Sequence, residues 1–257
     1  MRRILSVAFF AFAAAAFTWA QSAQDIMAKV RDRSGVTSTQ ARVAMKLIDK
    51  AGSVSDRLVD QYSVGKAGSA KSVIVFQKPA NVKDTRFLSV ENATGPEDRW
   101  IWLPAAGKIR RIASSEGGTS FMGTDLSYDD LSAASRSVDA DTFVLLGTET
   151  VGGETVYIIE ATPKDLAGST YSKAVYRVLA EKWLALKIEQ YDKKGSLIKI
   201  NETLAYDKVD GFWTPTKFKV SNVQTGHSTE LTMEILKFNK EIPAGVFTTR
   251  FLETGRP

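Results

Sequence analysis

The chain has 257 residues, a single histidine, no cysteine and a formal net charge of +5. The absence of cysteine excludes disulfides, thiolate metal sites and the acylated cysteine of a lipid-anchored protein. The basic excess is mild and spread along the sequence, so it does not predict a nucleic-acid-binding surface.

Residues 1–20 have the pattern of a secretory signal peptide. Arg2 and Arg3 form a charged start, an apolar run extends from Ile4 to Phe17, and Ala20 offers a small residue for cleavage. The run is too short and too poor in leucine and isoleucine for a membrane span. We therefore expect an exported, soluble mature protein in which residues 21–257 form a single domain. An uncleaved anchor is the alternative.

Apolar residues at helical spacing predict a first helix over residues 24–33. Apolar and polar residues then alternate, as in Val43, Met45 and Leu47, which is typical of a half-buried β-strand. Such strands, separated by short turns, continue to about residue 113 and resume at about residue 142.

Residues 114–140 interrupt the alternation. Within them, residues 124–134 form a second candidate helix, for which Thr124 or Ser127 is the predicted N-cap. The whole pattern predicts a mainly β protein of the α+β type, with about eleven antiparallel strands. So many strands twist and curl, and we expect a strongly curved half-barrel with short helices covering its concave face. Partial cover would leave a cavity for a ligand.

No recognised catalytic set is present in the sequence. His227 lies in a Thr-Gly-His-Ser turn, where a lone histidine is most often a solvated surface residue. The sequence has no Gly-x-Ser-x-Gly elbow, His-Glu-x-x-His motif, Walker loop or dinucleotide-binding glycine motif. We therefore predict a protein without enzyme activity and without a cofactor.

Three acids, Asp125, Asp129 and Asp130, cluster in the central segment. An EF-hand loop starting at Asp125 would have an acid at position six and an arginine at position twelve, which excludes that motif. A calcium site of another kind and a carboxylate-based hydrolase site remain as alternatives. The preferred interpretation is structural: the acids occupy a helix N-terminus and pair with Arg110 or Arg111.

Apolar side chains are predicted to line the cavity. Trp100 and Trp102 lie two residues apart on one strand and therefore share a face. Phe121 and Met122 follow at a glycine turn, and methionine adapts to irregular apolar shapes. Ordinary core packing is the alternative interpretation. The predicted lining residues are Phe76, Trp100, Trp102, Phe121, Met122, Leu126, Tyr128 and Leu186.

The order of these segments resembles the LolA/LolB-like superfamily of periplasmic lipoprotein carriers. The central pattern is similar to that of a divergent, uncharacterised LolA-like branch. This chain has Leu126 at a position where that branch usually has phenylalanine. The residues at the pattern's positions are Arg110, Arg111, Ile112, Phe121, Met122, Gly123, Asp125, Tyr128, Asp130 and Leu131.

The resemblance implies that helices act as a lid over an apolar cavity for lipid or for the acyl chains of lipoproteins. It also implies transfer in the periplasm, from an inner-membrane transporter to an outer-membrane acceptor, by a carrier that we expect to be a monomer. A different class of function stays open: a binding or signalling module that docks an envelope protein such as an export permease.

Overall fold

The computed structural model describes residues 22–31, 35–66, 68–132 and 136–257, so the predicted signal peptide lies outside the described residues. Within the described ranges the chain forms three α-helices and a sheet of thirteen strands. The helices are α1 (Ala23–Arg31), α2 (Tyr128–Ser132) and α3 (Thr249–Thr254). The strands are β1 (Ser38–Ile48), β2 (Val54–Val64), β3 (Lys71–Lys78), β4 (Arg86–Val90), β5 (Asp98–Leu103), β6 (Lys108–Ile112), β7 (Asp141–Val151), β8 (Glu154–Pro163), β9 (Lys173–Leu179), β10 (Leu184–Tyr191), β11 (Leu197–Val209), β12 (Phe212–Asn222) and β13 (His227–Phe238).

The sheet consists of two meanders, β1–β6 and β7–β13, joined where β1 pairs with β13. All pairs are antiparallel, and β6 and β7 are the two edge strands. The predicted mainly β, antiparallel fold with few short helices is confirmed, although the strands number thirteen instead of about eleven in the described part of the chain. Bulges in β7, β10, β11 and β13 add to the twist that curls so large a sheet.

One face of the sheet, here called the inner face, carries both α1 and the connection between the meanders. Directly opposed residues of antiparallel strands share a face. A continuous row of such pairs crosses the sheet through Leu47, Thr229, Val220, Asn201, Ile188, Tyr176 and Ile159. Leu47 belongs to the core under residues 113–132, and Ile159 to the core under α1. The central segment and α1 therefore cover the same face of the sheet.

Helix α1 has the signals that its sequence predicts. The Ser22 hydroxyl accepts a hydrogen bond from the Asp25 backbone N–H at 3.1 Å and caps the helix. Ile26 and Met27 are fully buried against β8 and β9. The helix begins at Ala23, one residue before the predicted range, and follows that range to Arg31; residues 32 and 33 lie outside the described residues.

The opposite, outer face of β2–β6 is covered by the C-terminal segment. Thr248 caps α3 by accepting a hydrogen bond from the Phe251 backbone N–H, and Phe251 and Leu252 pack onto the sheet. The sequence interpretation did not predict α3, because six residues are too few for a periodic signal.

Candidate functional site

Residues 113–132, here called the central cover, close over the inner face with a tight turn. A bridge between Ser120 and Ser127 holds its two sides together. The turn needs positive φ at Met122 (50°) and at Gly123 (79°), which explains the glycine. The Thr124 hydroxyl donates to the Phe121 carbonyl at 2.7 Å and closes the turn.

A capping box then starts α2. The Asp130 backbone N–H donates to the Ser127 hydroxyl at 3.2 Å, and the Ser127 N–H donates to Asp130 Oδ2 at 2.7 Å. Ser127 is therefore the N-cap, one of the two residues predicted. The helix begins at Tyr128 instead of residue 124, because residues 120–127 are used in the turn. Residues 133–135, at the predicted C-terminus, lie outside the described part of the chain.

An aromatic cluster attaches the cover to the sheet. The Phe121 ring lies 5.7 Å from that of Phe76 and 5.3 Å from that of Phe87, centroid to centroid. Tyr128 lies 5.6 Å from Phe121 and 5.5 Å from Phe87, at angles that favour aromatic pairing. Phe121 is fully buried. The underside of the cover thus fills the inner face of β1–β6.

Asp125 anchors one side of the cover to β13. Its carboxylate, with a side chain only 5% exposed, lies 2.6 Å from His227 Nδ1 and accepts a hydrogen bond from the Thr229 hydroxyl at 2.7 Å. The Asp125 backbone N–H donates to the same hydroxyl at 3.0 Å. His227, whose side chain is 28% exposed, is therefore only partly solvated: it binds a buried acid 102 residues away, and no local pattern signals this contact.

Asp130 anchors the other side to β11. Its carboxylate pairs with Lys199 Nζ at 2.7 Å, and both side chains are 9% exposed. The Tyr171 hydroxyl also donates to it, at 2.9 Å. Burial and the neighbouring Asp130 raise the pKa of Tyr171, so this hydroxyl stays protonated as a donor. Alternation in β11 gave no signal for this role, because a lysine between Ile198 and Ile200 is expected on the solvent face.

Asp129 completes the acidic cluster at the end of the cover. It accepts a hydrogen bond from Arg99 Nη1 at 2.8 Å and another from the Thr170 hydroxyl. Arg99 in turn binds Glu97 at 2.8 Å. Each aspartate of the cluster thus has its own partners on another part of the chain, and within the described residues no group of acids and histidines suits a metal ion.

The predicted pairing of these acids with Arg110 or Arg111 is wrong. Arg110 pairs with Glu116 at 2.6 Å, and Arg111 pairs with Asp98 on the neighbouring strand. The reason is geometric. Both arginines lie on the edge strand β6 and are exposed, whereas the aspartates point toward β11, β13 and Arg99.

The eight predicted lining residues do not meet at one site. Phe76, Phe121 and Tyr128 are buried in the core under the cover, with Met122 and Leu126 packed against it. Trp100 and Trp102 lie on the outer face, against the C-terminal segment, because Ile101 between them takes the inner face. Leu186 packs in a separate cluster beside Leu184. Alternation placed the tryptophans together but did not say on which face.

A cavity of about 370 Å³ lies on the inner face between the central cover and helix α1. Its floor is formed by the inner-face residues Ala161, Ala174 and Tyr176. Its walls combine the charged side chains of Arg31, Arg99, Arg136, Asp129, Asp130 and Asp141 with apolar surface that includes Pro163. This lining fits a ligand with both polar and apolar groups, and the hydrophobic core of the inner face lies under the central cover.

Comparisons with known proteins agree with this architecture. A model of a family described only as "uncharacterized protein" matches residues 68–254. The structure of a domain from Vibrio parahaemolyticus named for outer membrane lipoprotein sorting is 30% identical, with a TM-score of 0.82, and the match covers 90% of this chain and 98% of that one. The chain belongs to the LolA-like family.

Two further structures share the fold of this LolA-like chain. A DUF1329 family protein from Desulfovibrio piger is 29% identical with a TM-score of 0.84, covering 90% of this chain and 97% of that one. A LolA superfamily protein from Nitrosomonas europaea is 22% identical with a TM-score of 0.73, covering 90% and 100%, which shows a shared fold. None of the curated proteins compared with the chain matches it. No helix in the described ranges of this LolA-like chain is long and apolar enough to cross a membrane.

Proposed function

We propose that the protein is an exported, non-enzymatic carrier that binds lipid or the acyl chains of lipoproteins under the central cover. The observation that carries this proposal is the apolar inner face beneath a cover that fills it with its own side chains. Family membership and the lipoprotein-sorting name of the Vibrio domain support it. In this proposal residues 1–20 are a cleaved leader, residues 21–257 act as one periplasmic domain, and a donor and an acceptor in the two membranes exchange the cargo.

Energetics allow an exchange between the cover and a ligand. Burying a methylene gains about 0.8 kcal/mol, so an acyl chain with a dozen buried methylenes gains on the order of 10 kcal/mol before ordering costs. The cover buries Phe121 and Tyr128 and partly buries Met122, Leu126 and Leu131. Full burial gains about 1.5–3 kcal/mol for a side chain of this size, so the five together gain a free energy of the same order. A balance of this kind would let the site load and release its cargo.

The attachment of the cover is consistent with movement. Its apolar underside contributes no strand to the sheet, and its polar anchors involve the three aspartates at its end. Displacing the turn around Phe121 would expose the inner face of β1–β6 without breaking any strand pair.

A direct test is lipid analysis of the protein purified from its native host, by native mass spectrometry and solvent extraction, followed by titration with a fluorescent fatty acid. We expect bound lipid and saturable binding. If no lipid copurifies and no fatty acid binds at about 100 μM, a concentration that corresponds to only about 5 kcal/mol of affinity, the proposed function is overturned.

A disulfide lock tests the role of the cover. Because the chain has no cysteine, the double variant Asp125→Cys/Thr229→Cys would hold the cover to β13 under oxidising conditions only. We expect the oxidised form to bind fatty acid weakly and the reduced form to regain binding. Thr39→Cys/Ser63→Cys, which joins opposed residues of β1 and β2, is the matched control that leaves the cover free. Equal binding by the locked and unlocked forms would contradict entry beneath the cover.

A further inference from the structure

The edge strand β7 is unusually apolar for an exposed edge. It is 11 residues long and pairs with β8 on one side, and in the described ranges no strand pairs with its other side. Val144, Leu145 and Leu146 are 56%, 38% and 55% exposed. An edge of this kind offers unpaired backbone groups beside apolar side chains, which favours pairing with another strand.

A bulge produces this apolar run. The register with β8 shifts between Leu145 and Gly147, so Leu146 is the additional residue. Strict alternation would turn every second side chain onto the core, whereas here three consecutive apolar side chains are exposed. Such a run on a surface is unfavourable unless it has a partner. No lysine, arginine or proline lies between Asp141 and Val151 to protect the edge.

The other edge of the same sheet, β6, is protected against pairing with a strand of another chain. β6 is only five residues long, and Lys108, Arg110 and Arg111 are exposed along it. Two copies of β6 placed side by side would bring these cations against one another, which opposes pairing. A β6 edge placed against a β7 edge would set arginines against Leu145 and Leu146. Neither arrangement is favourable.

We propose that β7 is a dimer interface, at which the strand pairs antiparallel with β7 of a second copy of this chain. The register that places Leu145 opposite Leu146 of the second copy brings the apolar runs together. In that register Glu149 lies opposite Thr142 and not opposite another acid. Asp141, the other acid of the strand, is buried and held by Arg31 at 2.7 Å. The strand is therefore self-complementary in charge and in apolar surface, and a two-fold arrangement closes without leaving β7 free.

The oligomeric state of the protein purified from its host provides the test. We expect light scattering after size exclusion at about 50 μM to give twice the mass of one chain. Leu146→Lys places two cations near the two-fold axis, and we expect dimerisation to weaken on the order of tenfold or more. Ile235→Lys is the matched control, since Ile235 is 42% exposed on the interior strand β13. It should leave the dimer unchanged.

A single-cysteine variant gives a second measurement that does not depend on a destabilising charge. Because the chain has no cysteine of its own, each variant has a single thiol. Leu146→Cys should form an intermolecular disulfide on mild oxidation, and Ile235→Cys should form much less of it. A monomeric wild-type protein at 50 μM would overturn the proposal. So would a dimer that Leu146→Lys leaves intact, or equal crosslinking of the two cysteine variants.

Discussion

The two ends of the inner face are covered in different ways. Over β1–β6, the central cover inserts Phe121 between aromatic residues of the sheet and is anchored at its rim by buried aspartates. Over β7–β9, α1 places Ile26 and Met27 on the sheet and ends at Arg31, which pairs with Asp141. Between the central cover and α1 lies a cavity whose walls combine charged and apolar groups.

Under the proposed function, this difference separates the site for apolar cargo from a structural support. Under the central cover, the chain's own side chains occupy the area that an acyl chain would need, and the polar contacts lie at the rim. Under α1, an ionic network is part of the attachment itself: Arg31 and Arg136 both converge on Asp141, whose side chain is 5% exposed. The cover is therefore suited to exchange, and α1 is suited to hold the sheet in place.

The largest effect is expected where the cover fills the sheet. Phe121→Ala removes a fully buried ring and leaves a cavity, which should lower the free energy of unfolding by about 3–5 kcal/mol. Met122→Ala, on the same turn but only partly buried, should cost half as much or less. Urea denaturation of both variants measures the difference. Equal losses would mean that the turn, and not the ring, attaches the cover.

Removal of the buried rim anchor should have the next largest effect. Asp130→Asn leaves Lys199 buried without its counter-charge, and we expect a loss of about 3 kcal/mol in unfolding free energy. The double variant Asp130→Leu/Lys199→Met removes both charges and should recover part of that loss. If Asp130→Asn were neutral, the rim contacts would contribute nothing to closing the cover.

The sequence predicted much of the local structure correctly. Alternation located the strands, as at Val43, Met45 and Leu47, and helical spacing located α1. The N-cap Ser127 was among the two residues proposed, because capping depends on neighbours three residues apart.

The long-range arrangement could not be derived in the same way. The contacts of Asp125 with His227 and of Asp130 with Lys199 join residues 102 and 69 positions apart. They depend on the pairing of β1 with β13, which no local pattern specifies. Likewise, alternation shows that Trp100 and Trp102 share a face, but only the sheet's connections decide that it is the outer one.

A pH titration should measure how much the buried Asp141 carboxylate at the α1 end contributes to the free energy of unfolding. Burial favours the neutral form of Asp141, but hydrogen bonds from Arg136 and Arg31 outweigh it and hold the pKa of Asp141 below its usual value. The stabilisation is therefore present above about pH 4 and is lost as the pH falls through the lowered pKa. Asp141→Asn should cost about 2 kcal/mol at pH 7, and its difference from wild type should shrink below pH 4.

The control for this titration is Asp139→Asn, an exposed carboxylate in the same connection. Its unfolding free energy should follow that of the wild-type protein at every pH. A constant difference between Asp141→Asn and wild type from pH 7 to pH 2 would show that packing, not charge, is what Asp141 contributes.

The smallest effect is expected at Arg111, an arginine that the sequence predicted to pair with the aspartates of the cover. Arg111 is 70% exposed, and its partner Asp98 lies on the neighbouring strand β5 instead of on the cover. Exposed pairs are screened by water and salt and contribute little. Arg111→Ser should therefore leave the urea midpoint unchanged at both low and high salt. A clear loss of stability, or a weaker response to Asp130→Asn in the Arg111→Ser background, would place Arg111 in the attachment of the cover and would return the edge strand to a role in holding it closed.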